Sequence, residues 1–80
     1  MSSVIQHAEA LIDRASAMRT KARGELEFAA GESVQYLTRC INRLDKAIFA
    51  ARLAVRTGEQ KYLEIAQRAE VDAFGTTDFG

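Results

Sequence analysis

The most reactive side chains of this sequence occur singly and far apart. His7 is the only histidine and Cys40 the only cysteine, and they fall in different segments. A metal site needs several ligands close together, and a thiolate nucleophile needs a base beside it. Glu9 and Asp13, four residues apart, are typical of a solvated helix face. We therefore expect no catalytic site, no metal and no cofactor, and a protein that is not an enzyme.

Composition and charge limit the class of protein further. The chain has 80 residues, no proline, and 11 acidic and 11 basic residues. Zero net charge provides no long-range field for nucleic acid or anionic membrane. A single cysteine cannot form an internal disulfide, which favours a reducing compartment. The sequence shows neither a signal peptide nor an apolar run near the ~20 residues that span a membrane. We expect a small cytoplasmic domain without membrane attachment.

Apolar residues recur at spacings of three and four in three segments that glycines separate. Gly24, Gly58 and Gly75 follow these segments and are predicted to end the helices. Ser3–Gln6 and Thr57–Gln60 have the form of capping boxes, which start helices. The pattern predicts helices at about 4–23, 33–57 and 59–73.

The first helix alternates large residues with alanine along one seam, which lets a partner helix approach closely. A short connection makes helix two its antiparallel neighbour. Residues 24–32 are compatible with a loop, from which Leu26 and Phe28 could pack back onto the helices, or with a helical continuation. We predict an all-α, small three-helix domain dominated by a long antiparallel helical hairpin. It spans residues 1–75, and residues 76–80 form a flexible C-terminal tail.

Helix two has apolar residues on more than one side, which indicates more than one neighbour. Phe49 and Leu53 lie off its main seam, and helix three, with Tyr62 and Ile65 on its own seam, can cover one side. Phe49 and Leu53 are either core contacts of a three-helix bundle or a surface for self-association or a protein partner. The main seam of helix two comprises Val34, Leu37, Ile41, Leu44, Ile48, Ala51 and Val55.

Helix two also carries a basic stripe, Arg39, Arg43 and Lys46, with no acidic residue three or four positions away. The flanking segments are acidic, so the stripe can be neutralised inside the fold. An acidic protein partner or phosphate are the alternatives. Residues 50–68 have the outline of a helix-turn-helix motif. Glu59 and Glu64 occupy its inward positions, however, and the second helix would repel phosphate.

These patterns predict a non-catalytic protein–protein interaction or structural subunit that acts through helix faces, in a homo-oligomer or a larger assembly. The alternatives are a nucleic-acid binder that uses the basic stripe and a small regulator that masks a partner enzyme. Phe79, near the C-terminus, is either part of a frayed end or a hook for a neighbouring subunit. The predicted partner-binding residues are Phe49, Leu53, Arg39, Arg43, Lys46 and Phe79.

Overall fold

The fold consists of three α-helices around a shared core, which confirms the all-α hairpin prediction. A computed structural model describes the backbone of residues 3–77 and the side chains of residues 3–73. The helices are α1 (Ser3–Leu26), α2 (Glu32–Thr57) and α3 (Gln60–Thr77). α1 and α2 form a long antiparallel hairpin, and α3 packs along the other flank of α2. Contact between α1 and α3 is much smaller, so α2 is the central helix.

The turn between α1 and α2 comprises residues 27–31 only, so the segment 24–32 is partly a helical continuation and partly a turn. α1 continues through Gly24, because one glycine inside a helix costs only ~1 kcal/mol relative to alanine. The amide of Phe28 then donates a hydrogen bond to the carbonyl oxygen of Glu25 at 3.1 Å. Gly31 precedes α2 with a φ of 64°, a conformation that favours glycine. Leu26 is half-buried, whereas Phe28 is 88% exposed, so of the two residues that could pack back onto the helices, Phe28 does not.

The turn between α2 and α3 ends α2 as predicted but begins α3 differently. Gly58 adopts the left-handed conformation, and its amide donates to the carbonyl oxygen of Ala54 at 2.7 Å. Thr57 is the last residue of α2, and its hydroxyl donates to the carbonyl oxygen of Leu53 at 2.8 Å. That hydroxyl accepts from the amide of Glu59, two residues on, rather than three as in a capping box. The predicted capping box is therefore wrong.

Two other helix ends differ from the sequence pattern. Ser3 is already the first helical residue of α1 rather than the residue before it. α3 continues through Gly75 to Thr77, because Gly75 does not adopt the positive φ that would end the helix. The predicted tail, 76–80, thus begins inside α3. Its last residues, 78–80, lie outside the described residues, and so does the predicted hook Phe79.

The core is built mainly from alanine, which allows the helices to approach closely. Leu11 and Leu44 are the largest fully buried side chains, which confirms the central position of Leu44. Val4 and Met18, the other large residues of the α1 seam, are only partly buried against this core. The core cluster comprises Ala8, Leu11, Ala15, Cys40, Leu44, Ala47, Ile48, Ala50, Ala51, Ala54, Leu63, Ala66, Ala69 and Ala73.

Two seam predictions fail at the edges of the bundle. Val34 is 39% exposed because it lies in the first turn of α2, next to the end of α1. On α3 the core residue is Leu63, 2% exposed, while Ile65 is 45% exposed. Leu63 and Ile65 lie on either side of the alanine seam of α3. The sequence pattern therefore did not specify how this helix is rotated about its own axis, or which of the two residues faces the core. Tyr62 is half-buried.

Candidate protein-binding face

One long side of the hairpin has none of the described helices packed on it. We call it the open face. Arg14, which bonds to α3, lies about 160° around α1 from Ile12, so the open face is turned away from α3. Two adjoining clefts of about 640 and 230 Å³ follow it, and Arg52 lines both. The lining residues come from α1 and α2 only: Glu9, Ile12, Asp13, Ser16, Arg19, Thr20, Asp45, Ile48, Phe49, Arg52, Val55 and Arg56.

The larger cleft has an apolar floor between two rims of opposite charge. Ile12 and Val55 are half-buried and pack against the core. α1 contributes the exposed carboxylates Glu9 and Asp13, and α2 contributes the exposed guanidinium groups Arg52 and Arg56. Within residues 3–73, no ion pair joins the two rims. The cleft therefore combines an apolar strip with charges that the folded chain leaves to solvent.

The register of the hairpin places the rims at similar heights. An ion pair between Arg19 of α1 and Asp45 of α2 crosses the open face. The helices are antiparallel, so equal numbers of residues counted away from this ion pair, backward on α1 and forward on α2, reach similar heights. Ten residues before Arg19 is Glu9, and ten residues after Asp45 is Val55. The same counting places Glu9 near the height of Arg56 and Asp13 near that of Arg52, to within about one helical turn, because the Arg19 side chain itself spans several ångströms.

Phe49 is the most exposed large apolar residue of the open face. Its side chain is 66% exposed and lines the smaller cleft beside the buried Ile48. Phe28 and Val71 are also exposed, at 88% and 64%, but neither lines a cleft of the open face. Leu53, the predicted companion of Phe49, is half-buried and lines neither cleft. Phe49 and Leu53 are neighbours on α2, but they differ in exposure, and only Phe49 lines a cleft of the open face.

The opposite side of the hairpin is closed by α3 and by a two-point ion pair. Arg14 donates from Nε and from one terminal nitrogen to the two carboxylate oxygens of Glu70, both at 3.1 Å. These hydrogen bonds raise the pKa of the Arg14 guanidinium above its ordinary value, against a smaller opposite effect of desolvation. Glu70 is 8% exposed. Although Glu70 belongs to an acidic segment that could have neutralised the basic stripe, its partner is on α1 instead.

The basic stripe lies on the flank of α2 that faces α3. Arg39, Arg43 and Lys46 are all exposed. Lys46 lines a cleft of about 490 Å³ together with two acids and two bases of α3, and Arg43 takes part in an interaction within the fold. The charged residues of α3 that line this cleft are Lys61, Glu64, Arg68 and Asp72. Internal neutralisation of the stripe stays a prediction.

Cys40 lies at the turn end of the hairpin, where α3 stops. It is 2% exposed and lines a cleft of about 420 Å³ whose apolar residues include Met18 and Leu37. Burial raises the pKa of the Cys40 thiol above its ordinary value. The charge of Arg43 acts in the opposite direction, and that of Glu25 adds to the increase. A thiol in this environment is a poor nucleophile at neutral pH.

Glu9, Asp13, Arg52 and Arg56 were not among the site residues predicted from the sequence. Each pair consists of two like charges four apart, but the pairs are on separate helices. The signal was present in the combination: an acidic pair and a basic pair that an antiparallel hairpin brings to similar heights, with Ile12 and Val55 between them. His7 is exposed on α1. No group of three or more potential metal ligands occurs among the described residues.

Comparison with known proteins adds no family to this description. No protein-family model, curated protein or solved structure matches the chain. In the part of the chain with described structure, none of the helices combines the length and the apolarity needed to cross a bilayer.

Proposed function

We propose that this protein is a non-catalytic helical interaction subunit that binds a protein partner through the open face. The observation that carries the proposal is the exposed Phe49 beside an apolar strip, on a side of the hairpin that none of the described helices covers. Single exposed apolar residues are ordinary, but a cleft with an apolar floor and polar rims is typical of protein interfaces. Its charged rims provide specificity for the orientation of the partner.

Nucleic-acid binding by the basic stripe has less support. Arg43 already interacts inside the fold, and Lys46 shares a cleft with the acids Glu64 and Asp72. Phosphate binding at Arg52 and Arg56 would place a polyanion beside the acidic rim. A regulator that masks a partner enzyme would use the same open face, so the identity of the bound protein distinguishes it from a structural subunit.

Site-specific photocrosslinking tests the proposal. A benzoylphenylalanine at position 49 keeps an aromatic side chain on the open face, and the same residue at position 28 is a matched control at a more exposed phenylalanine. We expect a discrete protein adduct from position 49 and none from position 28, either with purified protein, if the partner is a second copy, or in cells of the source organism, if it is a different protein. Equal labelling from both positions, or no protein adduct from position 49 under either condition, would contradict the proposal.

A further inference from the structure

We infer that the partner of the open face is a second copy of this chain, related by a two-fold axis that runs parallel to the helices. This inference rests on the proposed function and adds the identity and orientation of the partner. Its basis is the division of charge across the open face. The acids Glu9 and Asp13 are confined to α1, and the arginines Arg52 and Arg56 to α2.

A surface divided in this way is complementary to itself in one orientation. In a two-fold contact, the same patch is used by both copies. Rotation about an axis parallel to the helices sets α1 of each copy opposite α2 of the other, at an unchanged height. Because Glu9 is near the height of Arg56 and Asp13 near that of Arg52, each carboxylate then meets an arginine of the second copy. A two-fold axis perpendicular to the helices would instead set acid against acid.

The same rotation produces a favourable helix arrangement. α1 and α2 are antiparallel, and α1 of one copy is also antiparallel to α2 of the other. The four helices thus form an up-and-down four-helix bundle, in which every adjacent pair packs in the common antiparallel manner. Ile12, Val55 and Phe49 of both copies lie along its new interior, while the two α3 helices remain on the outside.

The hairpin is long enough for a stable contact. The molecule measures 46 × 19 × 17 Å, and the two clefts of the open face occupy only part of the longest dimension. Stable protein complexes bury ~800 Å² on each partner. A dimer of the ordinary size therefore needs contact along the whole hairpin and not only at the clefts.

Charge reversal in the full chain tests both the partner and the orientation. We expect the wild-type protein to sediment at twice its 8.8 kDa mass. Glu9→Lys/Asp13→Lys makes both rims of the larger cleft basic, and Arg52→Glu/Arg56→Glu makes both rims acidic. Each variant alone should have its dissociation constant raised about 100-fold or more, because like charges meet. An equimolar mixture of the two should form a heterodimer.

Two controls separate loss of pairing from loss of folding. Glu27→Lys/Glu32→Lys reverses two exposed acids away from the open face and should leave the dimer intact. Far-UV circular dichroism reports whether each variant keeps its helices. Should one reversed variant unfold, a variant with all four reversals, which restores opposite rims, replaces the mixture. A dimer of that variant supports the inference, and a monomer contradicts it.

The outcomes also distinguish this inference from the proposed function. A monomeric wild-type protein with a position-49 adduct to a different protein overturns the second-copy inference and leaves the proposed function intact. Reversed variants that remain dimeric, or a mixture that stays monomeric, overturn the parallel two-fold orientation. A monomer without any position-49 adduct overturns both.

Discussion

The two sides of α2 differ in the size of the side chains they present. Toward α3, the chain uses alanine: Ala47, Ala50 and Ala54 are each at most 4% exposed. Toward the open face it uses larger residues, and Phe49 is 66% exposed while Val55 is half-buried. Small side chains lie where a helix of the same chain approaches closely. The exposed Phe49 lies on the side that none of the described helices covers, and our proposal of a protein partner rests on this difference.

The two sides of α2 also differ in the ion pairs that their charged side chains form. On the α3 side, Glu70 bonds to Arg14, and Lys46 shares a cleft with both acids and bases of α3. On the open face, Arg19 pairs with Asp45, and no ion pair joins the rims of the larger cleft within the described side chains. The α3 side thus has a nearly buried ion pair between two helices of the chain. The open face combines an apolar strip with two charged rims, which is the basis of our proposal.

The largest effect should come from the core that both sides share. Leu44→Ala removes a fully buried side chain from the middle of α2, and we expect a loss of ~2–5 kcal/mol in the free energy of unfolding. Urea unfolding followed by circular dichroism measures it. A loss below about 1 kcal/mol would mean that Leu44 is not tightly packed between the helices.

Overpacking the covered side should have the next largest effect. Ala47→Leu inserts a larger side chain where Ala47 is 0% exposed, and we expect a loss of ~1–3 kcal/mol. Phe49→Ala, a change of side-chain size at an exposed position of the same helix, provides the comparison on the open face. Although it removes more atoms, it should alter the stability of the dilute monomer by only ~0.5 kcal/mol or less. Similar losses for both variants would contradict the contrast between the two sides.

The ion pair that fastens α3 should contribute less. Glu70→Gln preserves the shape of a nearly buried side chain but removes its charge, so one charge-assisted interaction with Arg14 is lost. We expect about 1 kcal/mol of destabilisation. Glu64→Gln, at an exposed position of the same helix, provides the control and should be close to neutral. Chemical unfolding of both variants at the same pH gives the comparison.

The smallest effect on stability should come from Cys40. Its pKa is raised in the folded state by burial, so the unfolded chain loses the thiol proton first as the pH rises. Stability should therefore decline slightly between the ordinary pKa of a thiol and its raised value, and level off above it. Cys40→Ala should lack this decline. Iodoacetamide should also alkylate the native protein far more slowly than the urea-unfolded protein, and equal rates would contradict the burial of Cys40.

Much of the fold followed from local sequence signals. Gly58 ends α2 because it supplies a positive φ, and the alternation of Leu11 with Ala8 and Ala15 produced the predicted hairpin seam. Prediction was weaker where apolar residues flanked a seam on both sides. Leu63 and Ile65 are both acceptable neighbours of an alanine seam, and only packing against α2 determined which one is buried. Glycine proved ambiguous at Gly24 and Gly75, which helical neighbours hold within the helix.

Only part of the candidate site could be predicted from the sequence. Phe49 was identified because it lies off the main seam of α2, and the structure leaves it exposed. Leu53, four residues later, has the same local pattern, yet it is half-buried and lines neither open-face cleft. Arg39 and Lys46 were chosen for charge alone, and Lys46 proved to share a cleft with both acids and bases of α3. A local charge pattern does not indicate which charges another helix will approach.

By itself the sequence determined the three helices, the hairpin and the burial of Leu44, since these depend on periodicity and on turns between neighbouring segments. Tertiary structure alone decided which side of the hairpin α3 covers. That choice brought Glu70 to Arg14 and left Ile12 and Phe49 on the other side. Packing of α1 against α2 also brought Glu9 near the height of Arg56, because residues far apart in sequence come to the same height only once their helices pack. Contacts within a helix follow from the spacing of residues in the sequence. Contacts between helices depend on how each helix is rotated about its axis and on its height relative to its neighbour, and no single segment of the sequence specifies these.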